Sequence, residues 1–422
     1  MAGGSPEGLA RRLGTTDAVV VGLSAMIGAG VFAAFAPAAA AAHGWLPLSL
    51  ALAAVVAYCN ATSSARLAAV HPESGGTYVY GRRRLGPLWG YLAGWGFTVG
   101  KTASCAAMAL TFASYVAPGY ERPVAVAAVA ALTALNLFGV QRSAGVAKAI
   151  VAFVLAVLAA VVVAGLLGPE GDGPGWFTAA PGEQVTAWGV LQASGLLFFA
   201  FAGYARIATL GEEVRDPARV IPRAIGTALG VTLVVYTLVA SAALRTLGPG
   251  PLARSTAPLA DVVREAGAGG LAPAVQAGAA VAALGALLAL LLGVSRTVLA
   301  MARERDLPGA LAAVDPVRQT PRRAEATVGV AVIVLLLVAD LRGAIGFSSF
   351  GVLVYYAIAN ASALRLGRDE GAPPRVVPVA GLVLCLVLAA TLPAGSVLAG
   401  LAVFAVGLAV YLLRRRPLQR LG

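Results

Sequence analysis

Histidine is almost missing from this 422-residue chain, which has only His43 and His71. Both flank predicted loops. An intramembrane hydrolase, the enzyme reading of so apolar a chain, would need a base at mid-membrane, and no imidazole stands mid-span to supply it. Cysteine is nearly as scarce. Cys59, Cys105 and Cys385 all fall inside apolar runs, giving neither a disulfide framework nor metal-ligand spacing. No metal site and no cofactor is expected. Lysine occurs only at Lys101 and Lys148, so 29 of the 31 basic residues are arginine. Charged residues of every kind make up 12% of the chain. The net charge of +12 would suit a nucleic-acid partner. Segregation of charge across a membrane explains it better, and no nucleic acid is expected.

What is abundant is apolar. Hydrophobic residues are 59% of the chain and mean hydropathy is +0.84. Runs of about 20 apolar residues recur from end to end, the length needed to cross a bilayer as helix. The first run is too long for a signal-peptide core and has no cleavage pattern, so it reads as a retained span. Spans are predicted at 16–42, 46–70, 89–117, 122–139, 144–167, 186–211, 220–246, 272–302, 324–341, 344–366, 376–392 and 395–413. The Pro/Gly-rich loop 248–271 has room for an amphipathic helix.

About twelve spans put both ends on one side. The loops on that side carry 23 basic residues and the opposite loops 5, so both termini are predicted to be cytoplasmic. Arginine-over-lysine usage and the lack of a targeting signal point to a bacterial inner (plasma) membrane. The lipid bilayer is then the one certain partner, and a monomer or homodimer is expected.

Two spans are interrupted. Gly28 and Gly30 break the first, in Gly22-Leu-Ser-Ala-Met-Ile-Gly-Ala-Gly-Val-Phe32, and Gly203 breaks the sixth, in Phe201-Ala-Gly-Tyr204. Each Gly costs about 1 kcal/mol of helix propensity against Ala. Unpaired backbone in lipid is tolerated only where it lines a cavity or binds something. Close helix packing is the plainer reading of either site alone. The two breaks lie five spans apart. An odd number of spans per half inserts the second half upside down, and matching breaks in inverted halves point to a transporter's binding site. Half-helix N-termini favour a carboxylate and freed carbonyls a cation, which together suit a zwitterion.

Ser24-Ala-Met-Ile-Gly-Ala-Gly-Val-Phe32 resembles the first-span signature of the amino acid–polyamine–organocation (APC) transporters. Pro72-Glu-Ser-Gly-Gly-Thr-Tyr78, Phe198-Phe-Ala-Phe-Ala-Gly-Tyr204 with Gly211-Glu-Glu-Val-Arg-Asp-Pro217, and Ser295-Arg296 with Met301-Ala-Arg-Glu-Arg-Asp-Leu-Pro308 are similar to later family segments, in the same order. The resemblance implies an all-α integral membrane protein of the leucine-transporter-like kind. It would have a five-plus-five inverted repeat, discontinuous helices 1 and 6, and two extra C-terminal helices. The expected layout is a tail at 1–13, repeats at 14–167 and 186–367 around an extracellular loop at 168–185, added spans within 376–413, and a basic tail at 414–422.

By the same resemblance, a substrate carboxylate would meet the backbone of Gly28, Ala29 and Gly30. Its ammonium would meet the carbonyls of Met26, Phe199 and Ala202. Phe199 would also be an aromatic lid, with Ile27, Phe201 and Gly203 completing the shell. Glu212 and Glu213 are cytoplasmic-gate candidates, or a helix-end cluster pairing with Arg215 or Arg219.

Three residues are candidates for coupling: Lys101, Arg206 and Ser295. A cation near mid-membrane is unfavourable by at least about 2.5–3.5 kcal/mol and is a functional hypothesis by default. Counted from the apparent span end at Trp89–Gly94, Lys101 would be roughly 10–12 Å deep. Two readings stand: snorkelling to a headgroup, or facing the cavity. Proton-coupled family members place a lysine in the fifth span, and alignment puts Val154 there, with Lys148 too early. That departure leaves proton coupling open, with Lys101 as its replacement candidate. Arg206 either pairs with Glu212 or Glu213 or sets substrate charge preference. No Asp or Glu stands at cavity depth in spans one, three, six or eight, which favours neutral or acidic amino acids over dibasic ones. Uptake, exchange and export, of amino acids or related amines, fit equally.

Overall fold

The computed structural model describes residues 13–71, 75–138, 144–171, 177, 185–208, 214–315 and 320–415. Helix occupies every predicted span. The first is α1 (Thr15–Met26), α2 (Ala29–Ala33) and α3 (Phe35–Ala42), followed by α4 (Leu46–Val70), the short α5 (Thr77–Arg84), α6 (Pro87–Val116), α7 (Glu121–Leu137) and α8 (Ala144–Leu167). The sixth span is α9 (Ala187–Phe201), a 3-10 turn (Ala202–Tyr204) and α10 (Ala205–Ala208). Then come α11 (Pro217–Leu247), α12 (Pro249–Arg254), α13 (Pro258–Glu265), α14 (Ala272–Arg303), α15 (Arg322–Val338), α16 (Leu341–Ala363), α17 (Val376–Thr391) and α18 (Ala394–Arg415). Among the described residues eight helical stretches are long and apolar enough to cross a membrane; α7, α15 and α17 have 17, 17 and 16 residues. Among the described residues there is no strand, only an isolated bridge between Leu13 and Val214.

The boundaries have local causes. Proline in the first turn starts α4, α6, α11, α12, α13 and α14, where its missing N–H is no loss. Thr186 and Asp340 cap α9 and α16 by accepting from the N–H groups of Gly189 and Gly343, at 3.0 and 2.9 Å. The amphipathic helix expected in 248–271 is α13. It buries Leu259, Val262 and Val263 and pairs Asp261 with Arg264 on its open side at 2.8 Å.

The polarity is that of a protein solvated by lipid. Val330, Val334, Leu337 and Val338 of α15 and Leu398 and Leu401 of α18 are exposed, while Ser49, Asn60, Ser104, Ser348 and Asn360 are buried. Helices α14 and α16 both pack on α6, and α9 and α11 both pack on α4. Small residues make the closest crossing. A Cβ on Gly351 would lie 3.0 Å from the Gly100 Cα, which is how small residues substitute for hydrophobic drive between helices in lipid. Asn360 donates to Asn60 at 2.6 Å and accepts from Ser63 at 2.7 Å, tying α4 to α16. Cys385, expected only to pack, also reaches the Asn60 amide oxygen at 3.3 Å.

Candidate functional site

The first helix comes apart at Ile27 and Gly28. Ile27 keeps its N–H on the Leu23 carbonyl at 2.7 Å but turns out of the helix, with φ −83° and ψ 49°. Gly28 follows at φ −100° and ψ −143°, and helix resumes at Ala29. Ala34 joins α2 to α3, its N–H on the Gly30 carbonyl at 2.9 Å, so the second half of the span runs on nearly unbroken to Ala42. The interruption in the sixth span is tighter than a fully unwound segment. It is one 3-10 turn, whose i→i+3 bonding leaves fewer carbonyls free than the sequence suggested.

The two interruptions touch. A Cβ on Gly30 would fall 2.7 Å from the Ala200 Cα, and one on Gly203 would fall 2.4 Å from the Ala25 carbonyl and 2.6 Å from the Met26 nitrogen. These glycines are required by backbone-on-backbone approach; Gly28 and Gly203 stand at the breaks, whereas Gly30, expected to break the first span, lies inside α2 and serves packing alone. Gly28 is looser, its Cβ position 3.1 Å from the Ala286 methyl of α14.

A residue that sequence reasoning passed over fastens the pair. Tyr236 of α11 is fully buried, and its hydroxyl lies 2.6 Å from the Met26 carbonyl oxygen and 3.1 Å from that of Ala200. Its single proton serves both broken helices. Phe35 and Phe201 meet its ring edge-on at centroid distances of 6.2 and 5.0 Å. Phe201, expected in the substrate shell, therefore packs against Tyr236. Thr232, one turn earlier, reaches the Met26 sulfur at 3.8 Å. Hydroxyls at i and i+4 in an otherwise apolar span were the available signal.

Met26, Ile27, Gly28, Ala29, Gly30, Phe199, Phe201 and Ala202 are all buried, and Gly203 is half-buried. Lys101 is 7% exposed. Helix α6 begins at Pro87, not near Gly94, so Lys101 is at the middle of a 30-residue helix, about 21 Å of helix from either end, against roughly 10–12 Å counted from the sequence. Ser295 is buried and donates to the Leu292 carbonyl of its own helix at 3.0 Å. Arg206 is exposed on α10. Glu212 and Glu213 lie outside the described residues, as do Pro72, Glu73 and Ser74. Val154 is fully buried, and Lys148 pairs with Asp17 at 2.9 Å near the start of α1.

Toward the arginine-rich ends of the helices, α5 and the segment after α14 are clamped together. Arg82 Nη1 and the Tyr78 hydroxyl both donate to Asp306 Oδ2, at 2.8 and 2.7 Å, and Arg82 reaches Glu304 at 3.6 Å. Burial, and then the adjoining Asp306 carboxylate, push the Tyr78 phenol above its usual range, so it stays a donor. Thr77 donates its N–H to the Tyr355 hydroxyl at 3.0 Å. The quoted motifs contained Tyr78 and Asp306 without showing that they met.

The chain matches the family described as amino acid permease over residues 13–411. A Mycobacterium tuberculosis protein carrying the name uncharacterized transporter is 65% identical over 410 residues, covering 97% of this chain and 92% of its own. The branched-chain amino acid permease BcaP of Bacillus subtilis is 26% identical over 449 residues, covering 99% of this chain and 95% of its own. The methylthioribose transporter of the same organism is 27% identical over 448 residues, covering 97% and 94%. The names of these relatives differ in cargo, so likeness carries the class of activity and leaves the substrate open.

Proposed function

The chain belongs to the amino acid permease family of the APC superfamily, and from that premise we propose that it is a secondary transporter moving amino acids across the plasma membrane by alternating access. It is a multi-pass membrane protein of transporter type. In our reading the spans number twelve, 14–167 and 186–367 are the inverted repeats, 376–413 is an addition, and both termini are cytoplasmic. The substrate carboxylate meets the N–H groups of Gly28, Ala29 and Gly30, where a resuming helix presents its positive end. The ammonium meets carbonyls of Met26, Phe199 and Ala202, with Ile27 and Gly203 beside them. Because the Met26 carbonyl already accepts from Tyr236, it offers the ammonium its second lone pair. The clamp of Tyr78, Arg82 and Asp306 closes the cytoplasmic side. No covalent chemistry is involved.

The observation that carries this reading is the direct contact of the two interruptions, Gly30 on Ala200 and Gly203 on Ala25. Two packing glycines in unrelated helices have no reason to meet at matching breaks. The test is a thermal-shift screen of the purified protein against the amino acids, followed by uptake into proteoliposomes. Stabilisation by amino acids with saturable uptake is the expected result. Silence across all amino acids, with a response to a nucleobase or amine, would replace the substrate.

A further inference from the structure

Lys101 is a cation with nothing to neutralise it. Among the described residues its ammonium has no hydrogen-bond or ion-pair partner, although the residue is more than nine-tenths buried. The helices around it supply no carboxylate at its depth. Helices α6, α14, α16, α18 and α2 contain no Asp or Glu at all. The two other long helices against α6 carry theirs near an end, Glu121 as the first residue of α7 and Glu325 in the first turn of α15.

Its direction is set by its neighbours on α6. Thr98, three residues earlier, meets Met301 of α14 at 3.7 Å. Ser104, three residues later, meets Ser348 of α16 at 2.6 Å. Residues three apart flank a common face of a helix, so Lys101 projects between these two contacts. Tyr115, nearly four full turns on and on the same side, donates to the Phe32 carbonyl of α2 at 3.1 Å. The face of α6 that carries Lys101 therefore looks toward the second half of the broken first helix. Along its own helix Lys101 is 14 residues from the start of α6 and Ile27 is 12 residues from the start of α1, path lengths that differ by about 3 Å.

We propose that Lys101 is the counter-charge for a second carboxylate on the substrate, which makes the transported class the acidic α-amino acids, of the aspartate and glutamate type. The inference rests on the reading of the broken helices as an amino acid site. The α-carboxylate and α-ammonium are held there by backbone, leaving Lys101 for the side chain. A lone ammonium in a low-dielectric interior selects an anion, and it rejects a cationic side chain by like-charge repulsion.

The experiment compares glutamate with glutamine, which have the same shape and differ by one charge, as ligands of the purified full-length protein. Apparent affinity is read from thermal shift and from uptake in proteoliposomes. The expected result is preference for glutamate or aspartate over the matching amide. Lys101→Met should weaken acid binding about tenfold or more, as loss of a charge-assisted hydrogen bond does, while leaving amide binding within about twofold. Preference for neutral amino acids in the wild type, or an unchanged acid-to-amide ratio in Lys101→Met, overturns the assignment while the amino acid site stands. No response to any amino acid overturns the site itself. If Lys101→Met does not fold, the wild-type comparison still decides, because it needs no variant.

Discussion

Replacing Gly203 by alanine tests the contact on which the site is built. The added Cβ would fall 2.4 Å from the carbonyl carbon and oxygen of Ala25 and 2.6 Å from the Met26 nitrogen, against 3.4 Å for ordinary contact. About 1 Å must be made up, and every opposing atom is backbone, so no rotamer change relieves it. One interrupted helix has to move off the other. Overpacking of this kind is unfavourable by about 1–3 kcal/mol. If the displacement reaches the binding groups in full, affinity falls by about 5- to 150-fold. The assay is thermal unfolding of purified Gly203→Ala with and without amino acid, beside Gly226→Ala as control. Gly226 is exposed on α11 with nothing within 4 Å of its Cβ position, and alanine there should leave stability equal or raise it by up to about 1 kcal/mol. The expected outcome is a lower melting temperature and a reduced ligand shift for Gly203→Ala alone. Wild-type unfolding together with a wild-type ligand shift would refute the contact and the site built on it.

Three other perturbations address named interactions. Tyr236→Phe keeps the ring and removes the proton shared by Met26 and Ala200, which should destabilise by about 1–3 kcal/mol; a melting temperature equal to wild type counts against the bridge. Arg84, bonded to Glu370 through Nη1 and Nη2 of its guanidinium, and then the Gly367 N–H, pull that carboxyl from its usual 4.5 to about 2. A depressed carboxyl stabilises fully above its unfolded pKa and loses that contribution as pH falls through the folded one. The melting-temperature gap between wild type and Glu370→Gln should therefore narrow from about pH 5 to about pH 2.5, and a constant gap contradicts the pairing. Asp306→Asn weakens the clamp to Arg82 and Tyr78 by about 1.5–3 kcal/mol. A cysteine placed at Thr98 should then label faster than with Asp306 intact, over a low background because Cys59, Cys105 and Cys385 are buried. Equal labelling rates would show that the clamp does not hold the path shut.

Element positions were readable because apolar runs of membrane length have few competing folds. Span two, read as 46–70, is Leu46–Val70, and span five, read as 144–167, is Ala144–Leu167. The interruptions were readable because glycine is conspicuous against such runs. What pairs with what was not. Gly30 meets Ala200, and alanine in an alanine-rich chain carries no signal of contact. Tyr236 looked like any aromatic in a span until both acceptors stood beside its hydroxyl. Gly94 and Gly96 stand inside α6 rather than at its start, so the count from Trp89–Gly94 understated how much helix precedes Lys101. In α6 they are the small residues that admit Tyr78 and Met301 on one side and Gly351 on another. Asp306 and Arg82 are separated by most of the bundle's sequence, and only packing of α5 and α14 against α6 brings them together.

The crossed seating of the two broken helices also constrains movement. Gly30 rests on Ala200 to one side of the gap and Gly203 on Ala25 to the other, with one phenol bolted to both. Parts held at two points across a pivot keep a fixed jaw width when the surrounding bundle rocks. Under the proposed alternating access, cargo from either side would meet an aperture of one size, and the largest side chain accepted on the way in should equal the largest accepted on the way out.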